Sequence, residues 1–315
     1  MAQLKPFRGD YYLWEYVPSR AAAILFTILF VIATAFVIWR MVRTRTLFSI
    51  AFTIGGLFEI IGYAARAVAE DKTEQLGPFI VQSVLLLVAP ALFAASIYMV
   101  LGRLMRSVHG ERHSLIPVRW LTRAFVAGDV LSFLVQASGA GLMAKSDFSQ
   151  DTAQNIILAG LFIQIVMFGL FAATAVVFDV RMRRWPSGAA SASAAEGGGG
   201  GRAWKRVVWM LYAASALIMV RSIFRVVEYA TGKGEYLLGH EWTLYVFDAV
   251  LMLAVMAVYG WIYPGGLGGG GDGVVNKPAR PWEAVDSTSV DMGEEMGFGG
   301  GSGGHGMRGV EAGRK

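Results

Sequence analysis

The sequence predicts an all-α, polytopic membrane protein, a bundle of seven transmembrane helices with its amino terminus outside and its carboxy terminus in the cytosol. Three observations carry this. Apolar residues make up 55% of the 315-residue chain, charged residues only 16%, and the mean hydropathy is +0.50, whereas an average soluble domain is about 25% charged. Apolar runs recur at about 21–39, 47–69, 78–101, 123–143, 155–178, 207–230 and 241–263, each near the ~20 residues a helix needs to span the hydrocarbon. Bases concentrate in alternate loops: Arg40, Arg43 and Arg45; Arg103, Arg106, Arg112 and Arg119; Arg181, Arg183, Arg184, Arg202, Lys205 and Arg206. The remaining loops hold few bases among Glu70, Asp71, Lys72, Glu74, Lys145, Asp147, Asp151, Lys233 and Glu235, and the positive-inside rule then sets the orientation.

The net charge of +5 therefore reports topology, not nucleic acid, because the bases flank spans and form no single patch. The absence of cysteine excludes disulfides, thiolate metal sites, cysteine nucleophiles and palmitoyl anchors. The expected organisation is an extracellular segment at 1–20, a transmembrane domain at 21–264 containing a flexible cytosolic loop at 186–203, and a disordered glycine-rich cytosolic tail at 265–315. The first span is long enough to act as a signal anchor.

Taken in order, Tyr11, Tyr12, Trp14 and Tyr16 before the first span suit an aromatic anchor at the headgroups, with a lid over an outward-facing site as the alternative. The second span carries Glu59, Tyr63 and Arg66. The third carries Gln82 and Pro90, and a mid-span proline kinks a helix by removing a backbone donor. The fourth presents Asp129 and Gln136 among small residues, Ser132, Ser138, Gly139, Ala140 and Gly141, that permit close helix contacts. The fifth offers Gln164 near its centre. The sixth places Arg221, Arg225 and Glu228 on one helical face, and the seventh does the same with Glu241, Tyr245 and Asp248.

Eight of these side chains are acids or bases. At about 2.5–3.5 kcal/mol each, their uncompensated cost exceeds ~20 kcal/mol, more than the ~5–15 kcal/mol net stability of a typical fold, so they face the bundle interior. Seven residues rise about 10 Å, so Glu59 and Arg66 need partners on other helices. Arg225 and Glu228 can pair locally at i, i+3, which leaves Arg221 needing an acid elsewhere. Counted by rise, Glu59, Asp129, Arg221 and Asp248 form a central layer and Arg66, Arg225, Glu228 and Glu241 a layer nearer the outside. Three acids against one base at the centre call for a bound proton or a cationic ligand. A static ion-pair network that fixes helix register would use the same residues.

The motifs E-I-I-G-Y-A-A-R (59–66), L-L-L-V-A-P-A-L-F-A-A-S-I-Y-M-V-L-G-R (85–103), G-D-V-L-S-F-L-V-Q-A-S-G-A-G (128–141), G-L-F-I-Q (160–164), R-S-I-F-R-V-V-E-Y-A-T-G (221–232) and E-W-T-L-Y-V-F-D-A (241–249) resemble those of the fungal RTA-like, or lipid-translocating exporter, family. The resemblance covers roughly residues 12–264. It implies a seven-helix membrane protein linked to resistance against toxic amphiphiles and to movement of sphingoid long-chain bases or similar lipids, and it assigns no role to single residues. The expected partners are membrane lipids or amphiphilic small molecules, with no nucleic acid, no metal and no cofactor. The expected location is the plasma membrane, with the vacuole or another endomembrane as alternatives.

As a transporter, the chain would use Glu59, Asp129 and Asp248 as headgroup or proton sites and Arg66, Arg221 and Arg225 as counter-charges. It has no G-x-x-x-x-G-K-[ST] phosphate loop, so such a transporter would run downhill or on an ion gradient. A receptor or stress sensor is the alternative by topology, against which the third span ends in G-R-L-M-R and the seventh has neither an N-P-x-x-Y pattern nor a lysine for retinal. An enzyme is not expected, because His109, His113 and His305 fall in cytosolic segments and His240 at the outer boundary.

Overall fold

The computed structural model describes residues 14, 16, 18–71, 73–107, 117–143, 149–184, 199–231 and 240–265. The glycine-rich tail beyond 265, most of the 1–20 segment, residues 186–198 of the expected loop, and His109, His113 and His305 lie outside the described residues.

Seven helices are long and apolar enough to cross a membrane, and no strand occurs among the described residues. They are α1 (Arg20–Thr44), α2 (Ile50–Ala69), α3 (Leu76–Ser107), α4 (Val118–Met143), α5 (Gln150–Arg184), α6 (Gly199–Thr231) and α7 (Glu241–Trp261). Helix α6 begins at Gly199, inside the tract expected to be a loop: the helix continues back from its apolar span through three glycines, although each costs about 1 kcal/mol relative to alanine in a helix. Helix α7 stops at Trp261, two residues short of the expected 263, where Ile262 leaves helical geometry. The 35 residues of α5 span about 52 Å, more than the hydrocarbon thickness, and its last turn carries Arg181, Arg183 and Arg184, which suit the negative end of the helix dipole.

The ends are set locally. Ser19 caps α1 through a hydrogen bond from the Ala22 amide, and α1 stops where Arg45 turns left-handed (φ 52°), sending the Arg45 and Thr46 amides back to the Val42 and Met41 carbonyls. A 3₁₀ turn, Leu47–Ser49, leads directly into α2. Residues Tyr245–Val250 of α7 wind as a π-helical segment, a local widening and underwinding frequent at functional sites.

Consecutive helices pack on one another, α7 closes on α1, and α3 also meets α6 across the ring. The α3–α6 contact divides the bundle into a five-helix group (α1, α2, α3, α6, α7) and a four-helix group (α3, α4, α5, α6). Two glycines show how close the helices come: a Cβ at Gly62 would lie 2.7 Å from Leu86 of α3, and one at Gly160 would lie 3.0 Å from the Ser132 carbonyl of α4. Of the small residues expected to pack in α4, Ser132 and Gly139 do so, whereas Ser138, Ala140 and Gly141 are exposed. They lie off the helical face that meets α5.

Large apolar side chains cover the outer surface, as lipid contact requires. Trp39, Trp120, Trp209 and Trp261 are exposed near the end of the bundle that carries Arg45, here the Arg45 face, while Trp242 is exposed at the opposite, Ser19, face. Such aromatic girdles mark the two headgroup levels.

Candidate functional site

Within the five-helix group, polar side chains form three layers separated by rings. Nearest the Ser19 face, Arg66 of α2 is fully buried and pairs with Glu241 of α7 at 2.7 Å. Its Nε donates to the Tyr245 hydroxyl at 3.1 Å and its Nη2 to the Tyr16 hydroxyl at 3.0 Å. The Ser19 amide donates to both Glu241 oxygens at 2.8 and 2.9 Å. Trp14, packed edge-on against Phe79 of α3, and the rings of Tyr16 and Tyr245 lie 5.3–5.5 Å from the guanidinium carbon, within cation–π range. Burial pushes the Tyr16 phenol above its ordinary value of 10.0, against the pull of Arg66, so it stays a neutral hydroxyl. The two described aromatics of the expected headgroup anchor thus turn inward and cover this layer, because a buried guanidinium needs acceptors and ring faces that lipid does not supply.

The central layer joins four helices. Arg221 of α6 forms an ion pair with Asp248, in the π-helical segment of α7, and its Nη2 donates to the Leu86 carbonyl of α3 at 2.8 Å. That carbonyl is free because its helical partner would be the amide of residue 90, which is proline. Glu59 of α2, 1% exposed, lies within electrostatic range of Asp248 and Arg221, and its Oε1 has no hydrogen-bond partner. The Tyr63 hydroxyl one turn above is buried without a partner, as is Oε1 of Gln82, one turn before Leu86 in α3. Arg225 takes the local option, donating to Glu228 at 2.7 Å, which leaves Arg221 to Asp248.

The rings close this layer on two sides. Toward the Ser19 face, Tyr63 stacks on Phe30 (5.3 Å) and Tyr245 on Phe26 (5.1 Å). Toward the Arg45 face, Phe52 stacks on Tyr259 (3.9 Å) and meets Phe93 (4.5 Å). Beyond them a hydroxyl chain forms the third layer: Tyr259 with Ser49 at 2.8 Å, Ser49 with Tyr263 at 2.9 Å, and Tyr263 with Thr46.

Asp129 does not join the central layer, contrary to the expected quartet. It faces the four-helix group, where Oδ2 accepts from the Tyr98 hydroxyl of α3 at 2.9 Å and Oδ1 has no partner. Depth along a span is the same for both groups, and only the packing of α3 against both α4 and α6 separates them. Gln136 is held nearby in the α4–α5 interface, donating to Ser132 at 2.8 Å and Gln164 at 3.2 Å. The expected ratio of three central acids to one base therefore resolves into Glu59 and Asp248 around Arg221, with Asp129 alone.

Asp179 of α5 was not singled out from sequence, since it falls one residue past the expected fifth span. It is buried, accepts from Tyr212 of α6 at 3.0 Å, and pairs with Arg183 one turn on at 2.8 Å. The i, i+4 acid–base spacing is the signal that could have found it.

The sequence profile described as RTA1 like protein matches residues 52–270, which contain α2 from its third residue, all of α3 to α7, and most of the side chains above. The chain belongs to the RTA1-like family. Protoporphyrin uptake protein 1 of Saccharomyces cerevisiae is 37% identical over 286 residues, covering 80% of this chain and 91% of the relative. Protein RTM1 of Saccharomyces cerevisiae is 36% identical over 290 residues with the same coverages. Sphingoid long-chain base transporter RSB1 of Saccharomyces cerevisiae (strain Lalvin EC1118 / Prise de mousse) is 27% identical over 246 residues, 69% of this chain and 64% of the relative. No solved structure matches. The RTA1-like chain is thus an integral membrane protein with seven apolar helices of spanning length among its described residues, and its relatives include proteins named for uptake and for transport.

Proposed function

We propose that this RTA1-like protein moves amphiphiles across a membrane, sphingoid long-chain bases among them, and that Glu59 receives their cationic headgroup. One observation carries the reading: the central layer sets two acids against one base, Arg221 is committed to Asp248 and Leu86, and Glu59 keeps a buried oxygen with no partner. A buried carboxyl in that position needs a cation, and either a proton or a primary ammonium satisfies it. The names of two relatives, an uptake protein and a sphingoid base transporter, support amphiphile movement as the task. The polytopic fold and those names favour a transporter over an enzyme.

The two ring layers serve as gates. Opening the Arg66–Glu241–Tyr16 cap would expose Glu59 to the Ser19 side; parting Phe52, Phe93 and Tyr259 would expose it to the other. Exchange of an ammonium for a proton at Glu59 would couple movement to a pH gradient without a nucleotide. Asp129, bonded to Tyr98 and apart from the ion pair, is the candidate for a proton alone. The basic loops support an orientation with the Ser19 face outside and the Arg45 face cytosolic. A plasma-membrane location and protection against toxic amphiphiles follow from the same proposal.

Proteoliposomes holding the purified protein and a fluorescent sphingoid base test it. Accelerated translocation, with or without a pH gradient, supports the proposal, and transport no faster than in protein-free vesicles under either condition rejects it.

A further inference from the structure

Pro90 lies in the middle of α3, where a proline costs about 3 kcal/mol relative to alanine in a helix interior, so its presence asks for a return. Its ring removes the donor that would bond the Leu86 carbonyl and clashes with that same carbonyl, tilting it off the helix axis. In a membrane interior a freed carbonyl must find another donor. It finds Arg221 Nη2 at 2.8 Å, reached from α6, while Nε of the same guanidinium holds Asp248 on α7. A guanidinium carries its donors in a fixed fork, so two anchors fix its plane.

We infer that Pro90 is a positioning residue that determines the charge preference of the Glu59 site: by freeing the Leu86 carbonyl it holds Arg221 on α3 and α7, away from Glu59, and keeps Glu59 available to a cation. This rests on the reading of Glu59 as the headgroup site. Without Pro90, the residue-90 amide competes for Leu86 and Arg221 is released to neutralise Glu59 from within. The site would then lose its preference for an ammonium group while keeping its shape for the tail.

Pro90→Ala is the direct test, because alanine restores the amide and is well tolerated in a helix. Binding of a fluorescent sphingoid base with a free amine, and of its N-acetylated neutral analogue, is measured on purified full-length protein. We expect P90A to weaken the amine about tenfold and the neutral analogue less than twofold; equal weakening of both, or no weakening of the amine, overturns the inference. A second measurement is independent of any substrate. Thermal unfolding is compared for wild type, P90A, R221M/D248N and the triple variant, the neutral pair avoiding a stranded buried charge. If Pro90 acts through Arg221, P90A raises Tm more in the R221M/D248N background, where the Leu86 carbonyl has lost its donor, than in wild type. Equal Tm shifts in the two backgrounds overturn the inference. If wild type binds neither probe, the headgroup reading of Glu59 fails, while the Tm comparison still decides whether Pro90 positions Arg221.

Discussion

At the scale of single residues, the central layer makes three substitutions unequal. Arg221→Ala strands Asp248 beside Glu59 with no base and frees the Leu86 carbonyl, and breaking a buried pair costs about 3–5 kcal/mol. Asp248→Asn leaves Arg221 with Glu59 in electrostatic range as a substitute acid, so the loss is smaller. Glu59→Gln removes a buried acid that has no pair and is nearly neutral or stabilising. Thermal unfolding in detergent should rank the three in that order, while all three lose transport. Tyr98→Phe, which strips Asp129 Oδ2 of the Tyr98 hydroxyl donor, should cost about 1–3 kcal/mol by the same assay. Some of this was legible in the sequence: Arg225 and Glu228 pair as their i, i+3 spacing implies, and Arg66 finds its acid on another helix. The role of Pro90 was not, because a kink is visible in one helix but the donor that answers it comes from 135 positions away.

At the scale of helices, the tightness of contact differs between pairs in a way that substitution can read. A Cβ at Gly62 meets the flexible end of Leu86, whereas one at Gly160 meets the backbone of α4 at Gln136 and Ser132. Gly160→Ala should therefore destabilise by about 1–3 kcal/mol, the cost of overpacking, and Gly62→Ala by less, measured as the loss in Tm. The existence of all seven helices was legible from hydropathy alone, since a run of ~20 apolar residues has few other uses. Which face of α4 packs was not, because a cluster of small residues such as Ser138, Ala140 and Gly141 marks neither lipid nor helix. The π-helical segment around Asp248 left no pattern in the sequence either. It is a choice among backbone windings that the packing of α6 and α7 decides.

At the scale of the whole molecule, the closed ring with α3 against α6 makes two interiors from one bundle, and this separated Asp129 from Glu59, although depth along the spans had grouped them. Rise per residue gives height in a membrane and says nothing of azimuth. Orientation is open to a direct check, because the chain lacks cysteine and single cysteines can be placed on a clean background. With the Ser19 face outside, Asp71→Cys should react with an impermeant thiol reagent in intact cells and Arg43→Cys only after permeabilisation, both positions being exposed. Translocation of a fluorescent sphingoid base by proteoliposomes carrying wild type or Glu59→Gln tests the headgroup site most directly. We expect E59Q, folded and with a Tm no lower than that of wild type, to fall to the rate of protein-free vesicles; transport of the amine at the wild-type rate by E59Q would contradict it.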